Sequence, residues 1–367
     1  MKLNMRFMAG NVIDGILYFS HMNYNALFKM NLDTEEVGFI STFDEIPIDR
    51  AYIHRKCLVY KRWLIFIPQN ADMIHFINVD SLEQKTVSIA DESRYFMIAD
   101  AIIDDDLLYI LPGRIEQRAK ILHLDDFRIE IMEDLNNWIR EEISDDINKD
   151  SAICLGAVIH NKSIYMGLYR RSKIIRYDLG SRDISQIDTD IERIKDISDG
   201  SEGIWVTDFE NGHIELINDL VEEYRIGQGY SFRRVIENGE YIYAIPGNAS
   251  RIGLLRGPKG QKELDYPDEF RDFENNHEEK YFGYLIFENT IYLYPYVHDN
   301  MLRICEDKLE VVKTEFEYDP ENPSMEQFSK IIHAYEKEHI KKTGGIITEN
   351  TLFGLDAYLD YIKMDDE

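Results

Sequence analysis

The side chains best equipped for chemistry in this sequence are arginines and aromatic residues that recur on short polar segments. Seven such segments follow one another along the chain: SHMNYN, PQNADM, PGRIEQR, LYRRSK, TDFENG, PGNASR and PYVHDN. They carry Arg114, Arg118, Arg170, Arg171, Lys173, Arg251 and His298. A second set of segments adds Arg50 with Tyr52, Arg94 with Tyr95, and Tyr230 with Phe232. A guanidinium offers a planar, two-pronged donor edge to a carboxylate. Aromatic rings beside it supply apolar walls, a combination that suits a carboxylate, a sugar or a peptide segment in a concave mouth. The candidate binding residues are therefore Arg50, Tyr52, Arg94, Tyr95, Arg114, Arg170, Arg171, Tyr230, Arg251 and His298. The plain alternative is a solvated surface laced with salt bridges, because Asp72, Glu116, Asp208, Glu210 and Asp299 share the same segments.

Other chemistries find less support. His75, His123 and His213 fall one to a repeat, with no HxH, HExxH or paired Cys/His spacing, so no metal site is expected. Asp104-Asp105-Asp106 lacks the alternating ligands and the glycine of a calcium loop, and reads as a tight turn. There is no GxSxG, no phosphate-binding P-loop and no GxGxxG; Gly227–Gly229 lacks the third glycine and the helix of a dinucleotide site, so no cofactor is expected. With 69 carboxylates, a pair of acids at a channel mouth cannot be singled out by spacing.

The elements that must position these residues come from a repeat. The stretch Val12–Asp33 reads as a strand, a polar loop, a second strand and a turn. Later copies keep a large residue in the first of these strands and an Asp or Asn after the second: Tyr18/Asp33, Ile65/Asp80, Tyr109/Asp125, Tyr165/Asp178, Trp205/Asn218 and Tyr292/Asp307. A seventh copy keeps Tyr243 and replaces the acid by Gly257-Pro258. The large residues lie 47, 44, 56, 40, 38 and 49 residues apart, a period that marks a repeat architecture. An apolar stretch precedes each copy and another strand follows it, giving four short strands per unit. Seven such units predict an all-β, seven-bladed β-propeller of four-stranded blades, with Pro68, Pro112, Pro246 and Pro295 ending the second strands. In an up-and-down blade the arginine-bearing loops share one rim with the crossovers between blades.

Two stretches interrupt the period. Residues 133–150 have helical spacing at Leu135, Trp138, Ile139 and Ile143, and residues 262–280 read as a polar, exposed loop. The chain then changes character, predicting a propeller over 1–318 and a helical extension over 319–367 packed on or beside it. In that extension Ser324 and Gln327 have the pattern of a capping box, and Phe328, Ile331, Ile332 and Tyr335 form one apolar stripe. A second helix is expected over 352–362.

Composition narrows the function classes. Hydrophobic residues make up 44% and aromatics 12%, enough for a large core. A net charge of −28 argues against nucleic acid as a partner. Cys57, Cys154 and Cys305 are odd in number and unpaired in spacing, which predicts neither a disulfide framework nor a zinc site. No apolar run approaches a membrane span, so no membrane partner is expected and the cytoplasm is the expected compartment.

In size, the four-strand unit resembles the kelch and NHL groups of β-propeller repeats over roughly residues 5–318. It lacks the kelch double glycine and the Trp-Asp dipeptide of the tryptophan–aspartate repeats, so the likeness is architectural and brings no site residues with it. The expected function is a non-catalytic binding or scaffold propeller that recognises a peptide, protein or carbohydrate at its polar loop rim. The competing expectation is a propeller enzyme of the glycosidase or lyase kind with carboxylates at the channel mouth.

Overall fold

A computed structural model describes residues 2–69, 72–90, 98–143, 153–218, 221–225, 230–274, 279–296 and 298–342. Seven antiparallel four-stranded sheets, over residues 7–41, 54–88, 98–131, 154–188, 194–225, 232–264 and 281–312, form the blades of a seven-bladed β-propeller. Within each sheet the strands pair in chain order, so every blade is an up-and-down meander.

Register shows why the repeat is visible in the sequence. Tyr18, Ile65, Tyr109, Tyr165, Trp205, Tyr243 and Tyr292 pair with Asn11, Leu58, Ile102, Val158, Ser198, Ile236 and Leu285. These partners stand at one equivalent position of successive innermost strands, including the sixth blade, whose closing acid is missing. Each innermost strand also carries a bulge at the same place, as between Phe7 and Ala9 or between Phe232 and Arg234. A bulge sets one extra residue into the strand and re-aims its side chain.

The turn between third and fourth strands differs in phase from the sequence reading. In the first two blades the capping side chains are Asn31 and Asn78, two residues before Asp33 and Asp80. Asn31 Oδ1 accepts from the Asp33 and Thr34 amides at 2.9 and 3.0 Å. Asn78 Oδ1 accepts from Asp80 N–H at 3.1 Å and Ser81 N–H at 3.0 Å. In the fourth blade Asp178 itself does this, accepting from Gly180 and Ser181. The same turn repeats in four blades, each with a left-handed residue: Glu35, Leu82, Phe127 and Arg182.

The chain divides into two compact units. One comprises described parts of 1–89, 298–301 and 312–342, and the other the described parts of 90–297 with 302–311. In the first unit Lys2–Asn4 pairs antiparallel with Glu315–Glu317, the strand that follows the seventh blade. Helix α1, Glu133–Ile143, belongs to the second unit, and helix α2, Glu326–Lys342, to the first. Phe328, Ile331 and Ile332 of α2 are fully buried, and the Phe328 ring meets those of Phe28, Phe39, Phe316 and Tyr318. A 3-10 turn, Pro323–Met325, leads into α2 and is capped by Asn322, which accepts from Ser324 N–H at 3.0 Å; Gln327 donates to Thr42. Residues 352–362 lie outside the described residues.

The polar stretch 262–280 is not an exposed loop. It supplies the fourth strand of the sixth blade, Lys262–Leu264, and a 3-10 turn, Asp268–Glu274, whose Phe270 and Phe273 are buried with Tyr266 and Tyr281. Sparse apolar residues at 266, 270, 273 and 281 turn inward together, and this grouping outweighs the charged residues between them. Cys57 and Cys154 are buried, Cys305 is exposed, and all are free thiols. No described helix is long and apolar enough to cross a membrane.

Candidate functional site on the loop rim

The rim is built by one hydrogen bond repeated from blade to blade. Four residues after the landmark, the backbone N–H donates to the carbonyl just ahead of the same blade's innermost strand. The pairs are Met22–Arg6, Gln69–Ile53, Tyr169–Ile153, Phe209–Arg193, Gly247–Ser231 and Tyr296–Lys280, at 2.7–3.0 Å. The seventh equivalent falls on residue 97, outside the described residues. In these six blades loop and crossover are thus tied side by side at the mouth of the inner strand, which is what brings their side chains together.

In the second unit these bonds organise a run of interacting side chains. Arg170 lies over the Tyr169 ring at 5.2 Å, and Tyr169 meets Phe209 edge to face at 5.8 Å. The Lys195 ammonium lies over Phe209 at 4.2 Å. Lys195 Nζ then donates to Glu279 Oε2 at 2.9 Å, and Arg233 Nη1 to Glu279 Oε1 at 2.8 Å. Burial alone would push the Glu279 carboxyl up, but Arg233 and Lys195 overcome it and hold the group below the usual carboxylate range. The neighbouring Lys280 is buried, which draws its ammonium pKa down to about 8, against the opposing pull of Glu279. Phe282 packs on Tyr296 at 4.2 Å, and Tyr296 remains 39% exposed.

Lys195, Arg233 and Phe282 are the bulged residues of the fifth, sixth and seventh innermost strands. One residue further along the same strands lies a second polar group. Arg234 is bidentate to Asp196, with Nε–Oδ2 2.6 Å and Nη2–Oδ1 2.8 Å, and Asp100 Oδ2 stands 3.7 Å from Nη2. Tyr284 lies beneath the guanidinium at 5.6 Å. Burial works against this charge, yet Asp196 and the other acids outweigh it, raising Arg234 well above its ordinary value. Gly156 makes the space: a Cβ there would fall 1.9 Å from Asp196 Oδ1. Asp196, and Asp100 at longer range, are therefore paired with an arginine.

In the first unit the corresponding feature is a pair of buried histidines. His75 Nε2–H donates to the Asp44 carbonyl at 3.0 Å, which leaves Nδ1 to accept from His54 Nε2–H at 3.1 Å. His54 Nδ1 is then a buried acceptor with no partner among the described residues. Burial holds both rings neutral, below their ordinary pKa; His75 adds to the effect on His54, while Asp44 and Glu45 partly oppose it on His75. His21 is buried as well, its pKa drawn down to about 3, chiefly by burial and then by Arg6. No group of three or more His, Cys, Asp or Glu among the described residues is arranged to hold a metal ion.

The residues singled out by sequence are distributed as follows. Arg50 is exposed on the crossover after the first blade, and Tyr52 is half-buried there with φ of 53°. His298, in the same unit, accepts from the Asn300 amide through Nδ1 at 3.0 Å. Arg94 and Tyr95 lie outside the described residues. In the second unit Arg114 is half-buried on its loop, and Tyr230 packs against the cluster around Trp205 and Phe232. Arg170 joins the aromatic run, while Arg171 donates to the Glu142 carbonyl at 3.2 Å. Arg251 is engaged by Asp265 at 2.6 Å and Glu274 at 3.2 Å. Lys195, Arg233 and Glu279 were not in the sequence-derived set. A signal for two of them exists: each bulged residue stands ten positions before its landmark, from Met8 before Tyr18 to Phe282 before Tyr292.

No protein-family model matches this chain, and no curated protein matches it by sequence. Solved structures do match in fold. Virginiamycin B lyase from Staphylococcus aureus is 15% identical with a TM-score of 0.60, over 87% of this chain and 99% of that one. YCF48 from Cyanidioschyzon merolae is 10% identical with a TM-score of 0.56, over 83% of this chain and 94% of that one. The computationally designed protein Ika8 is 7% identical with a TM-score of 0.55, over 84% and 86%. Likeness that extends equally to an enzyme and a designed chain is likeness of architecture.

Proposed function

We propose that this chain is a binding protein that holds an extended peptide segment of a partner along the rim of its 90–297 unit. The observation that carries this reading is the unbroken run Arg170–Tyr169–Phe209–Lys195–Glu279–Arg233. It offers three cations, one carboxylate and two rings, a local charge of 3 − 1 = +2 on a chain whose net charge is −28. An extended segment presents peptide dipoles and alternating side chains at a spacing that such a run can meet in turn. Cations already lie over Tyr169 and Phe209, so those rings serve as walls beside charge more than as open platforms for a sugar ring. The carboxylates Asp100 and Asp196 are paired with Arg234, which favours a structural use for them over acid–base work.

The test is selection from a random peptide display library on the immobilised full chain, repeated with Phe209→Ala. Enrichment of a common motif on the native chain, lost with Phe209→Ala at unchanged melting temperature, supports the reading. No enrichment over bare matrix would remove it. One observation favours an enzyme of the lyase kind instead: the buried Lys280 amine has a pKa near that of a general base at about 8. Turnover in a glycosidase and lyase substrate screen that disappears with Lys280→Met would establish that second reading.

A further inference from the structure

Resting on the peptide-binding reading, the geometry points to the chemistry of the ligand: we infer that Lys195 and Arg233 form a seat for a ligand carboxylate, in which Glu279 is the chain's own occupant. The two cations come from equivalent bulge positions of adjacent blades, so the fold aims them at one point. Glu279 belongs to neither blade; it reaches in from the segment leading to the seventh. Its two oxygens are divided between the cations, Oε2 to Lys195 and Oε1 to Arg233. A planar carboxylate is thus the shape the seat already accepts.

One carboxylate does not satisfy it. Two cations against one anion leave a local charge of 2 − 1 = +1. Arg233 engages Glu279 through Nη1 alone, and its Nε and Nη2 have no partner among the described residues. The Lys195 ammonium engages Glu279 once and otherwise faces the Phe209 ring. Its side chain is only 14% exposed, and that of Arg233 30%. A charge so far removed from water is costly unless paired and hydrogen-bonded. A second anion therefore gains from this seat what solvent provides only in part. Phosphate-rich polymers are disfavoured by the overall charge of −28, which leaves the singly charged, planar carboxylate as the fitting group. Glu279 then acts as an internal competitor, and its removal strengthens ligand binding.

The test has two arms on the full chain at fixed ionic strength. The first uses N-acetylglutamate α-methylamide, whose one carboxylate is the side chain's, with N-acetylglutamine α-methylamide as its uncharged counterpart, and reads the melting temperature of native, Glu279→Gln, Lys195→Met and Arg233→Met proteins. The acid, and not the amide, should raise the melting temperature of the native chain. Glu279→Gln should reach half of that effect at a concentration at least about tenfold lower, the size expected for one charge-assisted hydrogen bond freed for the ligand. Lys195→Met and Arg233→Met should show no shift. Should Glu279→Gln not fold, Glu279→Asp, which withdraws the carboxylate by one methylene, gives the same order with a smaller step. Equal shifts from acid and amide, or weaker binding in Glu279→Gln, would overturn the inference.

The second arm uses fluorescence anisotropy with two sets of labelled peptides: one with internal glutamate and an amidated end, the other with neutral side chains and a free C-terminus. Preference for the first assigns the seat to an acidic side chain, and for the second to a chain terminus. Peptides that bind both forms alike and ignore Lys195→Met leave the peptide reading intact and sink the carboxylate seat. An acid-specific shift in the first arm without any peptide selected does the reverse.

Discussion

Replacing Arg234 by methionine tests whether the inner polar group is a clamp or a solvated ornament. The guanidinium makes two short bonds to Asp196, at 2.6 and 2.8 Å, and stands 3.7 Å from Asp100. The Arg234 side chain is 20% exposed and those of Asp196 and Asp100 11% and 8%, so solvent screens these charges only slightly. Methionine keeps the aliphatic stem and its packing but takes the cation away from two carboxylates, which keep their bonds from the Ala101 and Ile197 amides at 2.8 Å each. Removing one partner of a buried ion pair costs about 3–5 kcal/mol, because the other charge is left without compensation. At neutral pH we expect Arg234→Met to lower the unfolding free energy by about that amount, as a shift in urea midpoint followed by tryptophan fluorescence. Trp205, buried in the same unit, is one reporter. The triple variant Asp100→Leu, Asp196→Leu, Arg234→Met should recover most of the loss, as whole buried ion groups replaced by apolar ones are often neutral. A single variant within about 0.5 kcal/mol of the native chain, the range of ordinary surface changes, would show that water already solvates the site and would refute the clamp.

Three further outcomes concern the histidine pair, the blade turns and helix α2. His54 and His75 are held neutral in the fold with pKa values below their ordinary one; their contribution is complete above about pH 6.5 and is lost as pH falls, by about 1.4 kcal/mol per pH unit for each histidine. Replacing both by phenylalanine should flatten the fall in stability between pH 6.5 and 5, and an unchanged slope would contradict the assignment. Asn78→Ala should cost about 1–2 kcal/mol in thermal or urea unfolding, as for other side chains that cap backbone amides; Asp80→Ala, two residues on, should cost less, and the reverse order would mean the turn is capped as the repeat spacing alone suggests. Phe328→Ala should destabilise the α2 packing by about 3–5 kcal/mol and speed proteolytic release of the C-terminal segment without altering peptide selection at the rim; loss of selection would tie the helix to the site.

The repeat was legible in the chain because each blade is closed by local pairing. The landmark in a second strand and its partner in the first are seven residues apart in every blade, as Tyr18 is from Asn11 and Tyr292 from Leu285. A pattern set by neighbours in sequence survives as a pattern in sequence. Phase was harder: Asp33 and Asp80 lie within the turns, but Asn31 and Asn78 hold the amides, because the strand ladder ends two residues earlier than the acidic spacing implies. The rim loops were legible for the same local reason, since six of them are tied to the entry of their own blade. Partners beyond the paired strands of a blade were not. Arg251, which reads as a free rim cation, is taken by Asp265 and Glu274. Lys195 meets Glu279 across 84 residues and Arg233 meets it across 46. Composition determined that this acidic chain carries arginines and lysines enough for a site. Which of them escape their neighbouring acids depends on how successive blades stack and where each bulge turns one side chain, and only the tertiary structure decides that.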